Sequence, residues 1–362
     1  MKMLICGDFT ATSDNRELFE KKDVARLFGD TLDIFERADR VFVNVECAIT
    51  NSNNTIKKYG PCIKTPVEAA QALKKIGVTD CGISNNHIFD YGIKGLEDTV
   101  KALTDAGLNV TGYGLNYDDA RKNLYFSTPE GKRCAIIAVC DREYSYALEN
   151  RIGARAYDDY DTMLDIAEAK RNADFVIVIY HGGKEFSRYP SPRLRKSCHA
   201  MVMHGANAVI CQHTHCIGSY EKFNGAHILY GQGNFHFVEY DESDGWNSGL
   251  LLMLDIKEKI EIEFIPVVIN DVGIEKASDK ESDEILRDME RRNKSLLTEE
   301  WKKGWHAVCE RYRDIYENAV KNTYMEEKNE IYRQVFAHYI DCQAHLDVLQ
   351  ELFFTWNKTN EL

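Results

Sequence analysis

Asn207-Ala208-Val209-Ile210-Cys211-Gln212-His213-Thr214-His215 is the stretch from which the rest of the chain can be read. Its apolar, β-branched first half reads as a buried strand, preceded by a helix-like segment over 192–204. If the chain stays extended through the last residues, His213 and His215 share a face, because strand side chains alternate with period two. Two adjacent imidazoles at a strand end suit a core poorly, since each ring needs hydrogen-bond partners. They suit a metal ion well.

Four other apolar runs end in the same manner. Leu4-Ile5-Cys6 runs into Gly7-Asp8, and Val41-Phe42-Val43 into Asn44-Val45-Glu46. Gly82-Ile83-Ser84 runs into Asn85-Asn86-His87, with Asp90 three residues on. Phe175-Val176-Ile177-Val178-Ile179-Tyr180 runs into His181-Gly182-Gly183. Five strands, each tipped with Asp, Glu, Asn/His, His or His-x-His, describe an α/β protein whose strand ends carry the chemistry. A hard carboxylate such as Asp8 at that position suits a divalent ion.

Taken in order, Asp8, Asn44-Val45-Glu46, Ser84-Asn85-Asn86-His87-Ile88-Phe89-Asp90-Tyr91-Gly92, His181-Gly182-Gly183-Lys184-Glu185, Gln212-His213-Thr214-His215 and Tyr230-Gly231-Gln232-Gly233-Asn234-Phe235 carry a family resemblance. The chain resembles the poly-γ-glutamate capsule synthesis protein CapA family, a branch of the calcineurin-like metallophosphoesterase superfamily, over residues 1–270. The resemblance implies an α/β (α+β) four-layer sandwich, two mixed β-sheets flanked by helices. It also implies one or two divalent ions (Mn, Zn or Fe) held by Asp8, Glu46, Asn86, His181, His213 and His215. By family role His87 lies beside the metal and protonates the leaving group or holds its oxyanion. Asp90 either orients His87 or caps the helix beginning near residue 92.

Two positions depart from the superfamily pattern. Thr10 stands where a histidine usually follows the first aspartate by two residues, and Glu46 stands where the bridging carboxylate is usually aspartate. Both changes loosen the first metal site. Lys64, Lys184, Arg188 and Arg193 are cations on expected loops near the motif ends, which suits an anionic small-molecule or oligomeric substrate. Lys184 and Glu185, directly after His181-Gly182-Gly183, are the leading substrate contacts, with Lys64 and Arg188 also expected among them; Asn234 either bonds a substrate carbonyl or closes a turn.

Composition narrows the class further. A net charge of −13 repels polyanions and argues against nucleic acid. Eleven cysteines, an odd number without a CxxC pair, read as reduced and cytosolic. No apolar run approaches the ~20 residues of a membrane span, and residues 1–6 lead directly into the first motif, so neither signal peptide nor membrane anchor is expected.

Along the chain, helices are expected over 17–28, 30–38, 66–76, 92–106 and 158–172, with a β-hairpin over 123–139 and a closing antiparallel pair over 249–269. The character changes near Asp271. Residues 280–357 lack proline, hold one glycine, and place Trp301, Trp305, Val308, Tyr312 and Ile315 at helical spacing. This predicts a second unit, residues 271–362, of two or three helices packed on the sandwich or on another copy of the chain. Two functions follow. One is a metal-dependent hydrolase of an amide or phosphoester bond, and the other a degenerate metal-binding scaffold that assists a synthase. Thr10 favours the second, and the otherwise complete ligand set with His87 the first.

Overall fold

The period-two alternation of the strands sorts their side chains into layers. In the strand Lys2–Thr10, Met3 and Ile5 join a core shared with Ile136, Ile177, Ile210 and Leu252, whereas Leu4 and Cys6 join Phe19, Leu27 and Leu73 on the opposite face. The computed structural model, which describes residues 1–238, 245–323 and 330–354, therefore has two sheets stacked face to face with helices outside each.

The first sheet has eight strands. Lys2–Thr10 lies at its centre, parallel to Arg40–Val45, which pairs in parallel with Asp80–Gly82 and that in turn with Asn109–Thr111. On the other side Ser248–Ile256, Ile260–Ile269 and Ile274–Lys276 continue antiparallel, and Asn234–Phe237 pairs in parallel with the end of the central strand. The six-stranded second sheet runs Tyr220–Phe223, Ala226–Leu229, Ala208–Gln212, Phe175–His181, Arg133–Cys140, Leu124–Ser127. Both sheets are mixed, and the parallel strands of each end on the same side of the molecule, where the motif residues lie.

The central strand is bulged at this end. Its register against Arg40–Val45 shifts between Ile5 and Asp8, which turns the Ile5 and Cys6 carbonyls away from ladder partners. Two buried glutamines take them up. Gln232 Nε2 donates to Ile5 O at 2.9 Å and to Leu250 O at 2.8 Å, and Gln212 Nε2 donates to Cys6 O at 3.1 Å and to Gln232 Oε1 at 2.9 Å. Gly7 is required at the bulge because a Cβ there would lie 2.6 Å from Gly233 O. The pair bolts the second sheet to the first directly beneath the site.

Several elements differ from the sequence expectation. The 17–28 helix is two helices, Arg16–Lys21 and Val24–Phe28, because Lys22 takes a left-handed conformation (φ 55°) and Asp23 caps the second through Arg26 N. The helix at 66–76 is confined to Ala69–Lys75. The His213-Thr214-His215 segment is not extended: the strand ends at Gln212, and His213 (φ 84°) and His215 (φ 53°) both sit at positive φ. Such backbone is costly for residues with a Cβ and persists where surrounding bonds enforce it.

Beyond residue 277, four helices are described rather than two or three: Asp279–Leu296, Glu300–Thr323, Glu330–Asp341 and Gln343–Phe353. A capping box of Ser278 and Glu281 starts the first. Extended backbone at Cys342 (ψ 123°) separates the last two. The expected helical residues 355–357 lie outside the described residues. Leu296 and Trp301 enter the layer on the outer face of the second sheet, and Met289 reaches the core between the sheets. Trp305, Tyr316, Val335, Tyr339 and Val348 form a cluster of their own, touched by Tyr189. Among the described residues, no helix is long and apolar enough to cross a membrane, and none of the eleven cysteines is disulfide-bonded.

Candidate metal centre

Glu46 is the hub. It follows the strand Arg40–Val45, its N–H donates to Phe9 O at 2.9 Å, and its side chain is fully buried. Neither carboxylate oxygen has a hydrogen-bond partner. Three imidazoles surround Oε1: His181 Nε2 at 3.2 Å, His213 Nδ1 at 3.9 Å and His215 Nε2 at 3.9 Å. Burial alone would raise the Glu46 pKa, but the positive charge of His181 and His215 holds it well below the usual carboxylate range. Burial likewise opposes charge on His181, yet Glu46 and Asp8 raise it to about 10. A carboxylate this deep demands a counter-charge, which either protons on the rings or a cation can supply.

The remaining groups are aimed from both sheets. Asp8 Oδ1 accepts from Asn44 Nδ2 at 2.6 Å, and Oδ2 accepts from the backbone N–H of His213 at 2.9 Å. Asn86 Oδ1 lies 3.0 Å from His181 Nε2, and the Asn86 carbonyl is held by Ser145 Oγ at 2.6 Å. Glu46, His181 and His213 form one three-ligand group and Asp8, Glu46 and His215 another, with the ligand atoms of each group within 4.8 Å of one another. The buried Glu46 oxygens and His213 Nδ1, all without hydrogen-bond partners, together with this mixed N/O donor set, fit a divalent ion. Thr10 faces away, bonded to Thr65 Oγ1 at 3.2 Å and to Ala11 O at 3.3 Å.

Asn234, expected either to bond a substrate carbonyl or to close a turn, bonds within the protein through both ends of its amide. Its Nδ2 donates to Trp246 O at 2.9 Å, so its Oδ1 faces His215 Nδ1 at 2.8 Å. His215 then donates through Nδ1, which turns Nε2 towards Glu46 Oε1, 3.9 Å away. With one bond at each end of its amide, Asn234 positions the His215 ring.

His87 lies beside this cluster. Its Nδ1 is 2.7 Å from Asp90 Oδ2, and Lys58 Nζ is 2.5 Å from Asp90 Oδ1 and 3.2 Å from His87 Nδ1. The helix Gly92–Asp105 begins without a side-chain cap, so the Asp90 carboxylate serves His87, Lys58 and the Ile63 N–H (2.8 Å). Lys58 carried no signal in the sequence, because it comes from an irregular loop and reaches the site only through the fold. Asn44 and Asn85 are also part of the framework: Asn85 Nδ2 donates to Asn44 Oδ1 at 3.2 Å and to Val45 O at 2.8 Å, fixing the amide that holds Asp8. Gly182 is needed because a Cβ would lie 2.5 Å from Asp141 Oδ2, the oxygen that accepts the Gly183 N–H at 3.1 Å.

The expected charged contacts separate into two groups. Lys184 and Glu185 line a cavity that includes Asn86, His87 and Lys58. Lys64 and Arg188 do not line it. Lys64 Nζ is taken by Ser52 O at 2.6 Å and Asn53 Oδ1 at 2.7 Å, and Arg188 pairs with Asp288 at 2.8 Å. Arg193 pairs with Asp347 at 3.0 Å. Each of these three is held by an acceptor that the sequence did not place beside it.

Two helix-flanked mixed sheets with a carboxylate–imidazole cluster at their strand ends define an α/β sandwich built around a candidate divalent-metal centre. The chain belongs to the bacterial capsule synthesis protein PGA_cap family, which matches residues 2–239. It is 29% identical over 243 residues to the PGA biosynthesis protein CapA of Bacillus subtilis, covering 66% of this chain and 63% of that protein. It is also 29% identical over 257 residues to the capsule biosynthesis protein CapA of Bacillus anthracis, covering 68% and 61%. The chain thus spans somewhat under two thirds of the length of these relatives. A "Probable polyglutamine synthesis accessory protein" of Mycobacterium tuberculosis is 24% identical over 287 residues, covering 73% of this chain and 75% of that protein. Among solved structures, a 5'-nucleotidase from Candida albicans is similar at a TM-score of 0.44 and 9% identity, covering 87% of this chain and 58% of that one. A dimetal phosphatase from Danio rerio is similar at 0.35 and 8%, covering 65% and 96%.

Proposed function

We propose that the protein is a divalent-metal-dependent hydrolase acting on a γ-glutamyl or related peptide-like bond. The observation that carries this reading is the Glu46 carboxylate, buried without a hydrogen bond and ringed by three imidazoles. Asp8, Glu46, Asn86, His181, His213 and His215 would hold the ion. When bound, it supplies a water of lowered pKa and a counter-charge for a developing oxyanion. His87 delivers a proton to the departing nitrogen, and Asp90, accepting from Nδ1 and itself paired with Lys58, fixes its ring and tautomer. Lys58 and Lys184 meet substrate carboxylates.

The preference for an amide bond over a phosphoester rests on Thr10. Clamping both oxygens of a phosphoester in the two-metal manner wants ions ~3.5–4 Å apart. Thr10 brings no ligand to the first site, whereas amide hydrolysis proceeds with a single ion. The names of the Bacillus relatives, in PGA and capsule biosynthesis, agree with a glutamate polymer as substrate. The test is a panel with added Mn²⁺ or Zn²⁺, setting aryl phosphodiesters and monoesters against γ-glutamyl oligomers. Release from the glutamyl compounds that vanishes in Asp8→Ala is the expected result. Phosphodiester turnover that vanishes in Asp8→Ala, with no glutamyl release, overturns it.

Thr10 and the accessory-protein name of the mycobacterial relative favour a second reading, a metal-binding scaffold that assists a synthase. That reading predicts stoichiometric metal with no turnover on any member of the panel.

A further inference from the structure

The C-terminal helices reach the candidate metal centre. A cavity of about 280 Å³ opens beside Asn86 and His87, and its far wall comes from three of those helices: Tyr312 and Tyr316, then His338 and Tyr339, then His345. The contacts between wall and site are specific. Lys184 Nζ lies over the Tyr312 ring at 4.9 Å from its centroid. His338 stacks on Tyr144 at 5.1 Å, with its Nε2 3.5 Å from Glu143 Oε1. Tyr144 OH in turn accepts from Tyr59 N at 3.1 Å, and the Tyr144 ring faces Lys58 Nζ at 5.8 Å.

The lining carries both signs of charge. Lys58 and Lys184 face the space together with Glu143 and Glu185. An anion alone would be repelled by the two carboxylates, and a cation alone by the two ammonium groups. Lys184 Nζ meets Glu185 at 3.3 Å, Lys58 is held by Asp90 and Glu143 lies beside His338, so the wall presents both signs side by side and matches a ligand that bears both. The volume of about 280 Å³ falls just below the roughly 300–1,000 Å³ typical of small-molecule sites, which suits one or two amino-acid units. A polymer passing through as internal units would carry no free amine.

We infer that the C-terminal helices close the cavity into a subsite for the free, zwitterionic end of a peptide-like chain, with Glu143 and Glu185 receiving the amine and Lys58 and Lys184 the carboxylates. The inference deepens the hydrolase reading and rests on it for the kind of chain unit, making the enzyme one that works from an end. Glu143 and Tyr312 are then specificity-determining residues contributed from outside the metal centre.

Isothermal titration of the Mn²⁺-loaded full-length protein tests this without requiring turnover. The probes are γ-glutamyl-glutamate and the same dipeptide with its amine acetylated. The wild-type protein is expected to bind the free dipeptide about 10- to 100-fold more tightly than the capped one, the span for losing a charged hydrogen bond. Glu143→Gln is expected to narrow that ratio, and Tyr312→Ala to weaken both ligands by releasing Lys184, with metal content unchanged in each. Equal binding of the two probes, no binding of either at millimolar concentration, or wild-type ratios in Glu143→Gln overturns the inference. Discriminating binding without hydrolysis defeats the hydrolase reading and leaves the subsite standing. Hydrolysis of free and capped compounds alike does the reverse.

Discussion

The backbone N–H of His213 donates to Asp8 Oδ2 at 2.9 Å, so the end of the second sheet is tied to the end of the first through a carboxylate. The same bond holds His213 at a positive φ, and Asn44 claims the other Asp8 oxygen. Asp8 therefore organises both backbone and charge at the centre.

Metal content should follow from this geometry. Protein purified without chelator is expected to carry Mn, Zn or Fe by elemental analysis, and saturating metal should raise the unfolding free energy by about 3 kcal/mol at a hundredfold excess over Kd. His213→Ala should lose most of the metal and the thermal shift together. Protein that neither carries metal nor shifts with Mn²⁺ or Zn²⁺ would remove the centre altogether.

His87 separates from the ligands in its behaviour. Because Asp90 and Lys58 hold it beside the cluster, His87→Asn is expected to keep wild-type metal content and lower turnover by about 10²–10⁴-fold. Lys58→Met should retain metal while displacing the pH–rate profile, since it alters the charge beside His87 and Asp90. Metal loss in His87→Asn as complete as in His213→Ala would assign His87 to the shell instead.

The two glutamines at the bulge give a stability prediction independent of activity. Gln232→Leu leaves the Ile5 and Leu250 carbonyls without their side-chain partner in a buried setting, at about 1–3 kcal/mol per orphaned group. Chemical denaturation of Gln232→Leu should show a loss of that order. A midpoint within error of the wild type would mean that other donors take the carbonyls.

A pH dependence should come from His236, which sits among Phe9, Phe19 and Phe28 with Nε2 3.1 Å from Leu27 O. Burial pushes its pKa down to about 4. The folded value lies below the unfolded ~6.5, so the stability tied to the neutral ring is whole above ~6.5 and is lost as pH falls towards about 4. At about pH 5 this amounts to roughly 2 kcal/mol. Comparing denaturation curves of wild type and His236→Phe at both ends of that window isolates the contribution. Equal acid sensitivity in the two proteins would show that the ring is not its source.

What the sequence determined by itself is what neighbours in the chain can encode. Alternation told which faces of Lys2–Thr10 and Phe175–His181 are apolar, and the polar residues at the strand tips marked Asp8, Glu46, Asn86, His181, His213 and His215 before any contact was known. Local periodicity also announced the C-terminal helices, although not the break at Cys342 or the left-handed Lys22, which turn on single backbone angles. The tertiary structure decided everything that depends on partners far away in sequence. Lys64 was marked as a loop cation and Lys58 was not, but Ser52 and Asn53 capture the first, whereas packing carries the second to Asp90. Asn234 looked available to a substrate until Trp246 and His215 took both ends of its amide. The aromatic stripes of the last helices gave no hint that Tyr312 and His338 would face Lys184 and Glu143. A side chain's spacing reveals its face of an element, but the group that meets it there is chosen by how the elements stack.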